Sequence, residues 1–236
     1  MRTILRIAAV ISLVFVNTLL VFANPFPVPS PQGQPTTTSC TAITIITARG
    51  TTEDPGEGRL TTVASDIANG HEDSERIALD YPADLFPYSV SLYKGIQALT
   101  GLLNTSASSC PETKVVLLGY SQGAHVIGNT LCGGAFAEQG IEPSIKEKVS
   151  AIIFMADPRH VAGKSFDAGT ATRNGLLPRP DSESCDEFAP RMRSYCDSGD
   201  PVCDSGFDRE VHRAVVEKYR ADAVAFVNGL LAELCV

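Results

Sequence analysis

Gly119-Tyr120-Ser121-Gln122-Gly123 sets a serine between two glycines, and its flanks decide whether that serine can act as a nucleophile. Before it, Lys114 to Leu118 is a short apolar run of the kind that forms a buried strand. After it, Ala124 to Leu131 carries apolar residues able to line one face of a helix. Strand, sharp turn and helix are the context in which G-x-S-x-G becomes a nucleophile elbow. The turn forces the serine into a tight backbone conformation, and a Cβ at Gly119 or Gly123 would collide with the neighbouring strand and helix. Ser121 would then stand at the top of a sheet with a helix N-terminus beneath it, favouring developing negative charge. The alternative is a tight structural turn that happens to hold a serine.

A serine hydroxyl is a poor nucleophile until a base takes its proton, and that base needs a carboxylate to orient it. In α/β hydrolases these follow the serine in the order acid, then histidine. Of four histidines, His71 precedes the serine, and His125, one helical turn past it, reads as a packed or capping residue. His212, placed in a loop just before a long final helix, fits best, with His160 after the Asp157-Pro158 turn as second choice. The acid is Asp157 or Asp200. Asp200 lies between Cys196 and Cys203, whose disulfide would close a small loop and fix the carboxylate's direction. A purely structural loop with surface acids is the alternative there, and Asp157 reads as a strand-end acid capping local N–H groups. Two donors are expected for the oxyanion: the Gln122 N–H, and Thr51 in the loop Arg49-Gly50-Thr51-Thr52.

These residues need a scaffold. Strands are predicted over Ala42 to Ala48, Arg76 to Leu79, Lys114 to Leu118, Ala151 to Met155 and Met192 to Tyr195. Helices are predicted over Leu60 to Ala68, Ser89 to Leu103, the segment after the elbow, and Arg213 to Leu234. Apolar strands alternating with helices imply a mainly parallel sheet covered on both faces, with its site at the carboxyl ends of the strands.

The 236 residues suit one α/β domain. Residues 1–23 have a basic start, an apolar centre and a small-residue end, the layout of a secretory signal peptide and too short and interrupted for a membrane anchor. Residues 24–39, rich in Pro, Ser, Thr and Gln, read as a leader, and the folded domain is expected over 40–236. All seven cysteines lie from Cys40 onward, as an oxidising compartment would use them; the odd one out is expected to be Cys235. No C-x-x-C pair occurs, which argues against zinc. Formal net charge is −8, and losing Arg2 and Arg6 with the signal peptide makes it −10, which disfavours nucleic acid. The absence of Trp argues against an appended sugar-binding module. Asn104-Thr105-Ser106 is a glycosylation sequon.

Ala48-Arg49-Gly50-Thr51-Thr52-Glu53, Tyr81-Pro82-Ala83, the elbow with Ala124, the Cys196 to Cys203 loop and His212 with Tyr219 together resemble the cutinase family, which includes acetylxylan esterases. The resemblance spans roughly residues 40 to 234, in order. It implies a single-domain α/β-hydrolase fold, the triad Ser121, Asp200 and His212, an oxyanion hole at Thr51 and Gln122, and a Cys40–Cys110 disulfide. Phe154 to Arg159 and a Cys132–Cys185 pair look like the acetylxylan esterase branch, whereas Arg49-Gly50-Thr51 and Gln122-Gly123-Ala124 look like cutinases. Phe86, Phe207 and Val211 are candidates for an apolar substrate rim. The acidic stretch Asp181 to Asp186 and Cys235 depart from the family pattern. The expectation is a secreted, monomeric serine esterase without metal or organic cofactor and without stable membrane association. Its substrate would be cutin-type polyester or short-chain acyl esters, alternatively acetylated xylan. A non-catalytic binding protein on the same fold is the remote rival.

Overall fold

The computed structural model describes residues 40–233; the expected signal peptide, the leader and Cys235 lie outside them. Three apolar runs form the middle of the sheet: β1 (Ile43–Ala48), β3 (Lys114–Tyr120) and β4 (Val149–Met155). They are buried almost end to end, because helices cover both faces. β2 (Ser74–Ala78) is half exposed, as suits an edge, and β6 (Met192–Cys196) continues the sheet on the other side. The far edge is β5 (Asp167–Gly169), whose three residues of mixed polarity carry no period to read in the sequence. The sheet order is β2-β1-β3-β4-β6-β5, parallel throughout.

Helices α1 (Thr61–Asn69) and α5 (Arg209–Glu233) pack Val63, Ile67, Val215 and Val227 against Ile45, Val116 and Ile153 on one face. On the other, α2 (Tyr88–Ser109) and α3 (Gln122–Cys132) pack Leu92, Leu99, Val126 and Ile127 against Ile46, Leu117 and Ile152. A short α4 (Pro143–Lys146) precedes β4. Disulfides join Cys40 to Cys110, Cys132 to Cys185 and Cys196 to Cys203. Among the described residues no helix is long and apolar enough to cross a membrane.

One boundary matters for the site. α5 begins at Arg209, not Arg213, because Asp208 Oδ1 accepts the backbone N–H groups of Glu210 and Val211 at 2.9 and 3.4 Å. His212 therefore sits in the first turn of this helix and not in a preceding loop.

The chain leaves β1 for α1 on one face and leaves β3 for α3 on the opposite face, although the two strands are neighbours. Their exits diverge and open a crevice at the carboxyl edge, the switch point where such sheets bind ligands. Gly123 makes that geometry possible: a Cβ there would lie 1.9 Å from the Ala48 carbonyl oxygen and 2.7 Å from that of Arg49. Backbone at the end of a buried central strand cannot yield that far. Gly123→Ala is therefore expected to cost about 3 kcal/mol or to prevent folding. Gly229→Ala, on α5 with open space around the added methyl, is expected to gain about 0.5–1 kcal/mol from helix propensity. Urea unfolding of both variants checks the contrast; a tolerated Gly123→Ala would show that α3 can move off β1.

Candidate active site

Ser121 lies between the last residue of β3 and the first of α3, at φ 53° and ψ −115°, a conformation that L-residues rarely adopt. Two backbone bonds hold it: its N–H donates to Met155 O at 2.8 Å, and its carbonyl accepts from His125 N–H at 3.2 Å. Gly119 permits the close approach of the helix, since a Cβ there would meet the Ala124 backbone at 2.7 Å. The first N–H groups of α3 have no acceptor within the helix, so they are free to point at a ligand beside Ser121.

His212 faces this serine, with Nε2 at 3.2 Å from Ser121 Oγ. Its Nδ1 stands 2.9 and 3.0 Å from the two oxygens of Asp200. An ionised carboxylate only accepts, so Nδ1–H donates to Asp200 and Nε2 is left to accept the serine proton. Tyr120 fixes the other side of the base: its hydroxyl donates to the His212 carbonyl at 3.2 Å, and the two rings lie 5.2 Å apart.

Asp200 is fully buried, and its Oδ1 also accepts the N–H groups of Val202 at 2.7 Å and Cys203 at 3.1 Å. The Cys196–Cys203 disulfide closes this loop. Two further acids brace it. Asp197 accepts from Tyr219 at 2.7 Å, Lys218 at 2.5 Å and Thr170. Asp204, also fully buried, accepts from the N–H groups of Gly199, Thr172 and Arg173 and from the Arg173 guanidinium. Burial alone would push its carboxyl up, but these donors outweigh it and hold it down at about 2.

Thr51 shares a cleft with Ser121, and Arg49 shapes the loop that carries it. The Arg49 guanidinium is buried and donates to the carbonyls of Glu53 at 2.9 Å, Leu79 at 3.3 Å, Tyr81 at 2.5 Å and Pro82 at 3.2 Å. Tyr81 returns a bond to Arg49 O, and Thr52 N–H reaches Ala83 O at 2.7 Å. Glu53 Oε2 accepts the Gly50 N–H at 2.6 Å. The Gln122 side chain joins the same scaffold, donating to Asp84 O at 3.0 Å and accepting from Ser91 at 2.9 Å. Arg49 was legible only as part of a resemblance, since nothing near it in sequence marks it as a clamp.

The cleft, about 320 Å³, is walled by Leu85, Tyr88, Pro158, Leu176, Leu177 and Val202. None of the expected rim residues lines it. Phe86 and Phe207 are 89% and 96% exposed, and Val211 lies along α5. Leu85, beside Phe86, turns to the cleft instead. His125, read as a packed residue, and the second-choice base His160 are both engaged elsewhere. His125 is buried against Tyr88, with Nδ1 at 3.0 Å from the phenol oxygen, and burial, helped by Arg179 and Arg159, pushes it down to about 3. His160 is buried with Nδ1 at 3.5 Å from Asp167. Asp157 Oδ1 accepts the Arg159 N–H at 2.9 Å, the strand-end cap expected of it. The acidic stretch 181–186 is tied down by Glu183 on Arg159 and Asp186 on Lys164.

A carboxyl depressed on folding stabilises the fold above its ordinary range, here 3.8, and loses that contribution as pH falls towards 2. Wild type is thus expected to lose stability between pH 4 and pH 2 more steeply than Asp204→Asn. The variant should be less stable at pH 7 and slower in kcat/KM by roughly ten- to a hundredfold, as Asp200 loses its bracing. Parallel acid-unfolding curves with unchanged kcat/KM would remove Asp204 from this role.

The chain matches the Cutinase family model over residues 39–231. It is 37% identical over 207 residues to acetylxylan esterase 2 of Talaromyces purpureogenus, covering 82% of this chain and 88% of that protein. Cutinase 11 of Verticillium dahliae is 35% identical over 207 residues, covering 82% and 70%. A solved acetylxylan esterase structure at 36% identity superposes with a TM-score of 0.77, covering 82% of this chain and all of the other. Serine, histidine and acid thus stand in one hydrogen-bonded line on a fold shared with esterases, and the chain belongs to the cutinase family as a carboxylic ester hydrolase.

Proposed function

We propose that this protein is a secreted serine esterase that works through an acyl-enzyme on Ser121. The carrying observation is the hydrogen-bonded line from Ser121 Oγ through His212 to the buried Asp200. His212 Nε2 takes the hydroxyl proton as Oγ attacks the ester carbonyl, and Asp200 stabilises the imidazolium. The Gln122 N–H and Thr51 bind the oxyanion at the N-terminus of α3. His212 then protonates the departing alcohol, the C–O bond breaks, and water attacks the acyl-enzyme by the same route, releasing acid and free serine. His125 takes no part: it is buried with Nδ1 at 3.0 Å from the Tyr88 hydroxyl, while the imidazole on Ser121 Oγ is that of His212.

For substrate we propose short acyl esters borne by a plant cell-wall polymer, acetylated xylan first. The support is the pair of acetylxylan esterases, from Talaromyces purpureogenus and Hypocrea jecorina, each 37% identical to this chain. A specific feature favours a second reading, cutin-type polyester: Leu85, Leu176 and Leu177 are exposed at the mouth of the cleft, a surface suited to an insoluble aliphatic substrate.

Ser121→Ala is expected to abolish turnover of p-nitrophenyl butyrate, by about 10⁴-fold or more, with an unchanged circular dichroism spectrum. Residual activity near wild type would sink the assignment. An organophosphate should label wild type and not the variant; an inert binding protein would react in neither form. Rates on acetylated xylan, short soluble esters and an insoluble aliphatic polyester, run side by side, decide the substrate. Acetate release from xylan without polyester attack supports the first reading, and the reverse pattern replaces it with the second.

A further inference from the structure

The sequon Asn104-Thr105-Ser106 takes no part in the site above. Asn104 is exposed on α2 and lines a groove of about 600 Å³ between that helix and the segment after α3. Tyr93, Gln97, Thr100 and Asn104 recur along α2 at spacings of three and four, so they face one way along roughly 16 Å of helix. Opposite them, Phe136 is held at φ 71°, a backbone conformation that a bulky residue rarely adopts. Asn129 Nδ2 on Ala135 O and the Ala137 N–H on Gly134 O fix that turn at 3.2 and 3.0 Å. Phe136 is 51% exposed, and its ring meets the 41% exposed ring of Tyr93 edge-on at 5.5 Å.

This lining is chemically selective. Among the described residues it carries one carboxylate, Glu142, and no cation, which does not suit an anionic ligand. Aromatic surface beside amides and hydroxyls suits a saccharide, whose C–H faces pack on rings while its hydroxyls bond to polar side chains. The wall of the groove also contains the attachment point for one. We infer that Asn104 is an N-glycosylation site and that the chain's own glycan lies in this groove, its first sugars against Tyr93 and Phe136. The donor is a lipid-linked oligosaccharyl pyrophosphate, met in the secretory lumen to which a signal peptide over 1–23 would deliver the chain. The C–N bond to Asn104 Nδ2 forms as the anomeric C–O bond breaks. The lipid pyrophosphate leaves with that electron pair, and one amide proton is released. An outside polysaccharide has the same chemistry, but only the glycan begins inside the groove.

The test is to secrete the full chain from a eukaryotic host and measure its intact mass before and after peptide N-glycosidase F. Mass should fall by one oligosaccharide, and Asn104→Gln should be secreted at the lower mass. Deglycosylation should lower Tm by about 2–4 °C in wild type and by nothing in Tyr93→Ala or Phe136→Ala. The Asn-to-Asp conversion by the glycosidase is common to all three, so it cancels in the comparison. No mass change overturns the modification, and an equal Tm loss in the aromatic variants overturns the seating. Tyr93-dependent binding of xylo-oligosaccharides by Asn104→Gln, without a glycan effect on Tm, would give the groove to an outside polysaccharide instead. Hydrolysis of a soluble ester, expected to be unchanged by Asn104→Gln, keeps this result separate from the esterase reading.

Discussion

The contact on which everything else depends is that between the start of α3 and the carboxyl end of β1. Gly123 lies so near the Ala48 carbonyl that any side chain is excluded, and this proximity brings the loop after β1 beside the serine after β3. The left-handed backbone of Ser121 follows from the same constraint, because the chain must reverse within one residue to enter the helix. The cost of that strain is spread over a rigid surround: parallel pairing on both sides of β3, a helix buried along almost its whole length, and the Met155 carbonyl that holds the serine N–H.

Around this contact, charge is used mainly to fix backbone. Arg49 has no carboxylate partner among its bonds; it gathers four carbonyls from two loops and so orients Thr51. Asp197 and Asp204 work with the opposite sign, collecting N–H, hydroxyl and cationic donors around the acid loop. A buried carboxylate is tolerable only when its oxygens are bonded, and each of these is. Asp200 differs in one respect. One of its bonds goes to the imidazole of His212, which in the proposed mechanism carries a proton in turn, and Asp197 and Asp204 brace the loop independently of that bond.

Local chemistry makes the strand-turn-helix elbow legible in the sequence, and the acid and histidine proposed behind it stand in hydrogen-bonded line with its serine. Gly119, Gly123 and the strand and helix that flank them state one requirement at several levels at once. The helical start at Arg209 was missed although Asp208 is a good N-cap, because the apolar period begins only later, with Val215 and Val216. The cleft wall could not be read. It joins Leu85, Tyr88, Pro158, Leu176, Leu177 and Val202 from separate loops, and no local pattern links them. Phe86 and Phe207 drew attention as large apolar side chains, but which of two adjacent residues faces a cleft depends on loop conformation, and Leu85 won that position.

The loops that carry Leu85, Leu176 and Leu177 are stitched to the same scaffold as the proposed triad, yet these side chains make no bond to that triad. Leu176 and Leu177 are set by backbone bonds to Val202 and Pro158, at 2.9 and 2.8 Å, while Tyr88 is set by His125, which burial keeps neutral. Val202 belongs to the acid loop and holds Asp200, but a change of side chain at Leu85, Leu176 or Leu177, none of which bonds to Ser121, His212 or Asp200, is expected to leave those three where they are. Under the proposed mechanism, acyl size and polymer preference are therefore separable from the chemistry. An identity of about 37% to acetylxylan esterases and 35% to a cutinase is consistent with one reaction and several substrates. In this chain the proposed mechanism leaves substrate choice to how Leu85, Tyr88, Leu176 and Leu177 bound the acyl group, because the proposed nucleophile would meet every ester carbonyl in the same way.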